Sequence, residues 1–152
     1  MPPTADELWA LVAGSQQGTL ATIKSDGAPQ MSNVLYVPDS ASRVIRISTT
    51  AGRAKSRNLA RDPRAALHVA GDDFWNYAVA EGNVTLSDIA SVPGDAATAE
   101  LFAVHSAFYR ELDRDTFHDE MIEHRRLVVR LHVTRVYGVI APSGRRPIRN
   151  DT

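Results

Sequence analysis

The spacing of apolar positions changes several times along the chain, and each change marks an element. Thr4-Ala-Asp-Glu7 has the form of a capping box, and Leu8, Leu11 and Val12 follow on one apolar face until Gly14 and Ser15. This predicts a short amphipathic helix. From Gly18 the pattern becomes that of strands. Gly18–Ile23 is small and β-branched, Ser25-Asp26-Gly27 is a hairpin turn with Gly27 supplying positive φ, and a second strand runs from Ala28 to Val37 before Pro38-Asp39-Ser40. Arg43–Thr49 alternates Ile45 and Ile47 against Val44 and Arg46, and further strands are expected over Ala65–Ala70 and Phe74–Leu86. The clearest alternation is the last, where Leu127, Val129, Leu131 and Val133 interleave with Arg126, Arg130, His132 and Thr134.

Helical spacing returns between the strands. A basic helix follows Ser48-Thr49-Thr50 and ends near Arg61, because Asp62-Pro63 disfavours the α region. Asp95–Leu112 puts Leu101, Val104, Phe108 and Leu112 on one stripe, with Asp95 as its cap, and Thr116 is expected to cap a further turn or two through Glu123. About six antiparallel strands with short peripheral helices predict a mainly β (α+β) domain curled into a closed or half-closed barrel, which hides sheet edges. The chain is expected to be one domain over 1–152, with flexible tails at 1–3 and about 142–152.

Composition narrows the chemistry. A chain of 152 residues buries enough surface to need no staple, and the absence of cysteine removes disulfides, thiol nucleophiles and thiolate metal sites. A net charge of −1 argues against a wholesale nucleic-acid or membrane role, and no apolar run approaches the length of a spanning helix. The acidic start, with Asp6 and Glu7 after Pro2-Pro3, is not a signal-peptide pattern, so a cytoplasmic location is expected. No two of His68, His105, His118, His124 and His132 have the i, i+4 spacing of helical ligands, so no metal site is expected. Ser32 lacks the G-x-S-x-G setting of a hydrolase nucleophile, and no catalytic dyad is evident.

Three segments carry candidate chemistry. Ser48-Thr-Thr-Ala-Gly-Arg-Ala-Lys-Ser-Arg-Asn58 joins a strand end to a helix start, where hydroxyls, free amides and cations favour an anion. A solvated basic face of Arg53, Arg57 and Arg61 is the competing explanation, and the segment is not a Walker loop. Pro29-Gln-Met-Ser-Asn-Val34 carries polar groups suited to a flat heterocycle, or simply turned outward from an edge strand. Asp72-Asp-Phe-Trp-Asn-Tyr77 offers flat aromatic faces for stacking, for an interface or for a core. Arg145, Arg146 and Arg149 form a basic tail.

Taken in order, Gly18-Thr-Leu-Ala-Thr-Ile, Asp26-Gly-Ala-Pro-Gln-Met-Ser-Asn-Val, Ile47-Ser-Thr-Thr, Arg53-Ala-Lys-Ser-Arg-Asn-Leu-Ala-Arg-Asp-Pro-Arg64 and Tyr77-Ala-Val-Ala-Glu-Gly-Asn-Val resemble the flavin/deazaflavin oxidoreductases. This family belongs to the split β-barrel superfamily that includes pyridoxamine-phosphate oxidase. The likeness spans about Leu8 to Gly138 and is greatest to the group B branch, whose members use the deazaflavin coenzyme F420, some as biliverdin reductases. It implies a six-stranded split barrel, a homodimer with cofactor sites between the barrels, and a small-molecule substrate, with FMN as the alternative cofactor. A non-catalytic cofactor- or tetrapyrrole-binding protein is the alternative from another class. On this resemblance Ser48, Thr49, Arg53, Lys55 and Asn58 would hold the cofactor phosphate. Gln30, Met31, Ser32 and Asn33 would line the ring, and Trp75 with Tyr77 would cover it from the partner chain. The cofactor would carry the hydride chemistry, so no dedicated catalytic residue is expected. Ala51-Gly52 ahead of Arg53 is a departure from the pattern that would loosen the phosphate grip.

Overall fold

The computed structural model describes residues 1–141, and the basic tail expected at 142–152 lies outside them. Seven strands form one antiparallel sheet: β1 (Gln17–Ile23), β2 (Pro29–Leu35), β3 (Val37–Asp39), β4 (Val44–Thr50), β5 (Arg64–Ala70), β6 (Tyr77–Leu86) and β7 (Arg126–Val139). The helices are α1 (Ala5–Ala13), α2 (Ala54–Arg61), α3 (Ala96–Ser106) and α4 (Arg114–Glu123). None of the described helices is long and apolar enough to cross a membrane.

The hydrogen-bonded order is β2-β1-β5-β6-β7-β4-β3, so β2 and β3 are the two edges of the sheet. Only Tyr36 separates them in sequence. One residue cannot span an open seven-stranded sheet whose strands lie about 4.8 Å apart, so the sheet must curl until its edges meet. The strand expected over Ala28–Val37 is therefore broken at Tyr36, where the chain leaves β1 and pairs with β4. That break makes seven strands rather than six.

Tyr36 is fully buried and its hydroxyl donates to the Val12 carbonyl of α1 at 2.6 Å. Burial pushes the phenol up to about 12. Helix α1 begins with the expected capping box, Thr4 and Glu7 each satisfying the other's backbone amide, and adds Leu8, Trp9 and Val12 to the barrel interior. Tyr36→Phe leaves the Val12 carbonyl without this donor inside the core and is expected to cost about 1–3 kcal/mol. Urea unfolding would read this as a lower midpoint at unchanged slope.

Other boundaries shift for local reasons. Strand β6 starts at Tyr77 rather than Phe74, because Gly71 N–H bonds to the Asn76 carbonyl and Asp73 accepts from Trp75 N–H, closing a turn. Helix α3 stops at Ser106 rather than Leu112, where the Ser106 hydroxyl bonds back to the Phe102 carbonyl at 2.7 Å. Asp113, not Thr116, caps α4, and Thr116 supplies the amide that Asp113 accepts. Strand β7 continues to Val139 through an irregularity at Glu81/Gly82: Glu81 faces Arg135 and Gly82 faces Val133, leaving Thr134 unopposed.

Candidate functional site

Alternation along β4 turns Ile45, Ile47 and Thr49 inward and Arg46, Ser48 and Thr50 outward, and β7 presents Arg126, Val128 and Arg130 on the same outer face. The register pairs Arg46 with Arg130 and Thr50 with Arg126. Two adjacent guanidiniums need a counter-charge, which α3 supplies. Glu100 accepts from Arg46 Nε at 3.0 Å and from Arg130 Nε and Nη2 at 2.7 and 2.6 Å. Burial alone would raise the Glu100 carboxyl, but these donors outweigh it and hold it below its usual range. Asp95 caps α3 through Thr98 N–H at 2.7 Å, so the helix is fixed at its start and along its length.

The last turn of α3 and the residues after it form one wall of a cleft of about 290 Å³, carrying Val104, His105, Phe108 and Tyr109. Its floor holds Ser48, Thr49, Thr50 and Arg126, Arg53 and Lys55 stand at the entry to α2, and Asn33, Val34 and Leu35 of β2 complete it. Gly52, with φ +85°, turns the chain from β4 into α2, and Arg53 occupies the N-cap position without making a side-chain cap. The first amides of α2 are thus left without a side-chain acceptor, and they add to the positive potential there.

Arg53, Lys55 and Arg126 converge on this cleft, and none forms an ion pair among the described residues. Burial, then Arg53 and Arg126, depresses the Lys55 ammonium below its ordinary value. Burial and Arg53 depress Arg126 likewise, with Tyr109 acting in the opposite sense. Arg126 donates through Nη1 to Ser48 Oγ at 3.0 Å, while its Nε is buried without an acceptor. His105 Nε2 lies 2.9 Å from the same Ser48 Oγ. Three like charges with no acid and one orphaned donor are costly in a folded protein unless an anion completes them. The set fits a phosphate or a similar oxyanion.

Ser48, Thr49, Arg53, Lys55 and Asn33 therefore come together, although Thr49 alternates towards the core and is only 3% exposed. Gln30 and Ser32 share the inward side of β2 and do not line this cleft. Asn58 does not line it either. Its Nδ2 donates to Gln30 Oε1 at 2.6 Å and to Thr22 Oγ1 at 3.0 Å, and its Oδ1 accepts from Arg61, which ties α2 to β1 and β2. Met31, 64% exposed, lies on the outer side of β2 beside Asn33, away from the cleft. Trp75 is 49% exposed on the β5–β6 turn, and Tyr77 stacks on His68 at 5.4 Å. Neither reaches the cleft within this chain. Arg126, His105 and Tyr109 were not among the expected residues. A signal for Arg126 exists in the sequence, an arginine opening an outward face that also carries Arg130, but its lack of a partner acid becomes visible only once Glu100 is seen to be used elsewhere.

The sequence profile of the pyridoxamine 5'-phosphate oxidase family matches residues 4–140. Among solved structures, a conserved hypothetical protein from Mycobacterium tuberculosis is 24% identical, with 90% of this chain and 84% of that one covered and a TM-score of 0.69. A protein described as an F420 reductase is 22% identical, with 90% and 98% covered and a TM-score of 0.60. A heme-binding protein from Mycobacterium smegmatis is 27% identical, with 95% of this chain but 57% of that one covered and a TM-score of 0.62.

Proposed function

The chain belongs to the pyridoxamine 5'-phosphate oxidase family, and from that premise we propose that it is a coenzyme F420-dependent oxidoreductase whose cofactor phosphate occupies the cleft beneath α3. The observation that carries this reading is the set of Arg53, Lys55 and Arg126, without an acid among the described residues, and the unpartnered Arg126 Nε. The similarity to a protein described as an F420 reductase supports the choice of cofactor. When bound, the deazaflavin supplies a hydride for a conjugated acceptor such as biliverdin or a quinone-like compound.

The protein's own contribution is binding and orientation. Arg126 and Arg53 hold the phosphate by charge-assisted hydrogen bonds, and Lys55 adds a compact charge. Asn33, on the outward side of β2, faces the cleft and also accepts from Thr19 at 3.2 Å, which fixes its amide where it would meet the cofactor. Met31 and Leu35 flank it as exposed apolar residues on that side of β2. In this reading a second copy of the chain covers that face and brings its own Trp75 and Tyr77 to the ring.

Titrating the protein with F420 and with FMN tests the assignment. Tight F420 binding is expected, whereas FMN binding with none of F420 would replace it by the FMN-dependent reading. Lys55→Ala is expected to weaken cofactor binding about tenfold or more, because it removes a half-buried charge from the cleft. Lys24→Ala, at the exposed β1–β2 turn, is expected to have no effect. Equal affinities by fluorescence titration would remove Lys55 from the site.

The similarity to a heme-binding protein favours a second reading, a tetrapyrrole-binding protein without turnover. That reading predicts a Soret shift on adding heme or biliverdin and no oxidation of reduced F420 with either present.

A further inference from the structure

Ser48 Oγ accepts the Nη1–H of Arg126 at 3.0 Å and lies 2.9 Å from His105 Nε2. A serine hydroxyl has one proton and two lone pairs, and Arg126 uses one lone pair. When Nε2 of His105 is bare, the Ser48 proton is spent on the ring. When Nε2 carries a proton, the ring donates to the second lone pair, and the Ser48 proton is released towards the cleft. With the neutral ring's proton on Nδ1, uptake of a second proton at Nε2 decides whether Ser48 offers a donor to whatever the cleft holds.

The surroundings of His105 are unfavourable to its cation in the free protein. β7 places Arg126 against it through Ser48, and Arg53 and Lys55 line the same cleft from the entry to α2. The segment after its own helix contributes Tyr109, stacked at 6.1 Å, and α4 contributes the Phe117 ring at 5.1 Å, with the His118 ring a further 6.3 Å from Phe117. Glu100, also on α3, is taken by Arg46 and Arg130, and no carboxylate pairs with His105 among the described residues. Burial and then Arg126 hold the imidazole below its ordinary value. An anion in the cleft shifts this balance towards the cation, because it offsets the charge of Arg126 that opposes protonation.

We propose that His105 is a positioning residue for the bound anion: it takes up one proton as the anion enters and, through Ser48, turns a hydroxyl donor onto it. The proposal rests on reading the cleft as an anion site. The proton comes from solvent and goes to Nε2, the Ser48 hydroxyl keeps its own proton and changes direction, and no covalent bond to the anion forms. Linkage then requires affinity to rise as pH falls through the His105 pKa of the complex and to level off below that of the free protein. Each unit between the two is worth about tenfold.

Sulfate is a suitable first probe, since it keeps its charge over the range in which histidine titrates, and F420 is the second. Affinities are measured from about pH 5 to 8 at constant ionic strength in the wild type and in His105→Gln, which retains an amide for Ser48 but cannot gain a proton. The wild type is expected to bind sulfate about tenfold more tightly at the acid end, with a flat profile in the variant. Calorimetry in two buffers of unequal ionisation enthalpy reads the proton directly in the wild type and requires no variant to fold; uptake approaching one proton supports the proposal. A flat wild-type profile, absence of proton uptake, or an unchanged slope in His105→Gln overturns it while leaving the cofactor reading intact. Failure of both sulfate and F420 to bind at any pH overturns the two together.

Discussion

Replacing Arg126 with methionine is expected to weaken sulfate and cofactor binding by about 10- to 100-fold while leaving the free protein about as stable as before. The two effects separate because Arg126 has no counter-charge among the described residues. Its Nη1 reaches only the neutral Ser48 hydroxyl, its Nε reaches nothing, and Arg53 opposes it across the cleft. Truncation loses one modest hydrogen bond but relieves repulsion and a buried unsatisfied donor, so the stability terms offset. The bound state, in contrast, loses a charge-assisted hydrogen bond worth about 1.5–3 kcal/mol, or roughly one to two powers of ten in affinity. Methionine keeps the length of the aliphatic stem, so the floor of the cleft should stay filled. Thermal unfolding and isothermal titration of the same preparation check both halves. A variant that unfolds many degrees lower yet binds normally would make Arg126 a structural residue.

The second large effect is expected at Gly82. A β-carbon there would land on the backbone carbonyl oxygen of His132, with the Thr134 amide nitrogen 3.2 Å away. Neither obstacle is the movable end of a side chain. Both belong to β7 at the point where Thr134 is left unopposed between the partners of Glu81 and Gly82. Relief requires the β6–β7 ladder to open near the middle of the barrel, where Ala80 and Val84 face the core. Gly82→Ala is therefore expected to cost about 3 kcal/mol or more. For a chain of this size that lowers Tm by about 6–12 °C. Gly27→Ala makes a useful comparison: its φ of +87° carries strain, but nothing lies within 4 Å of the added carbon, so the loss should be smaller.

Strand identity was readable where one face is buried and the other is wet. The alternation from Arg126 to Thr134 appears as β7, the Ser25-Asp26-Gly27 turn joins β1 to β2, and the Thr4–Glu7 capping box starts α1. Legibility failed where a single residue changes role. Past Thr134 the inward positions jump from Val133 to Val136, because the irregularity opposite Gly82 slips the two-residue period. Tyr36 has the composition of a strand residue, and nothing local says that the chain changes strand partners there.

The candidate site divides along the same line. Ser48, Arg53 and Lys55 lie within eight positions of one another, and a strand end running into a basic helix start is a local signal for an anion. His105 and Arg126 are 57 and 78 residues from Ser48, and no local pattern ties either of them to the segment that holds it. Asn58 shows the converse. Its place in the motif suggested a phosphate ligand, but its side-chain amide is occupied by Gln30 and Thr22.

By itself, the sequence determined the β-rich class, most element positions, the absence of thiol chemistry and the segment most apt to hold an anion. These follow from local periodicity and composition, which act over a few residues. Tertiary structure decided which cations remain without an acid. It pairs Arg46 with Arg130 across a ladder and sets Glu100 between them, and so leaves Arg126 facing Arg53 and Lys55 with no carboxylate to share among the described residues. Charge balance at a site is a sum over everything within a few ångströms, and only the folded chain specifies that neighbourhood.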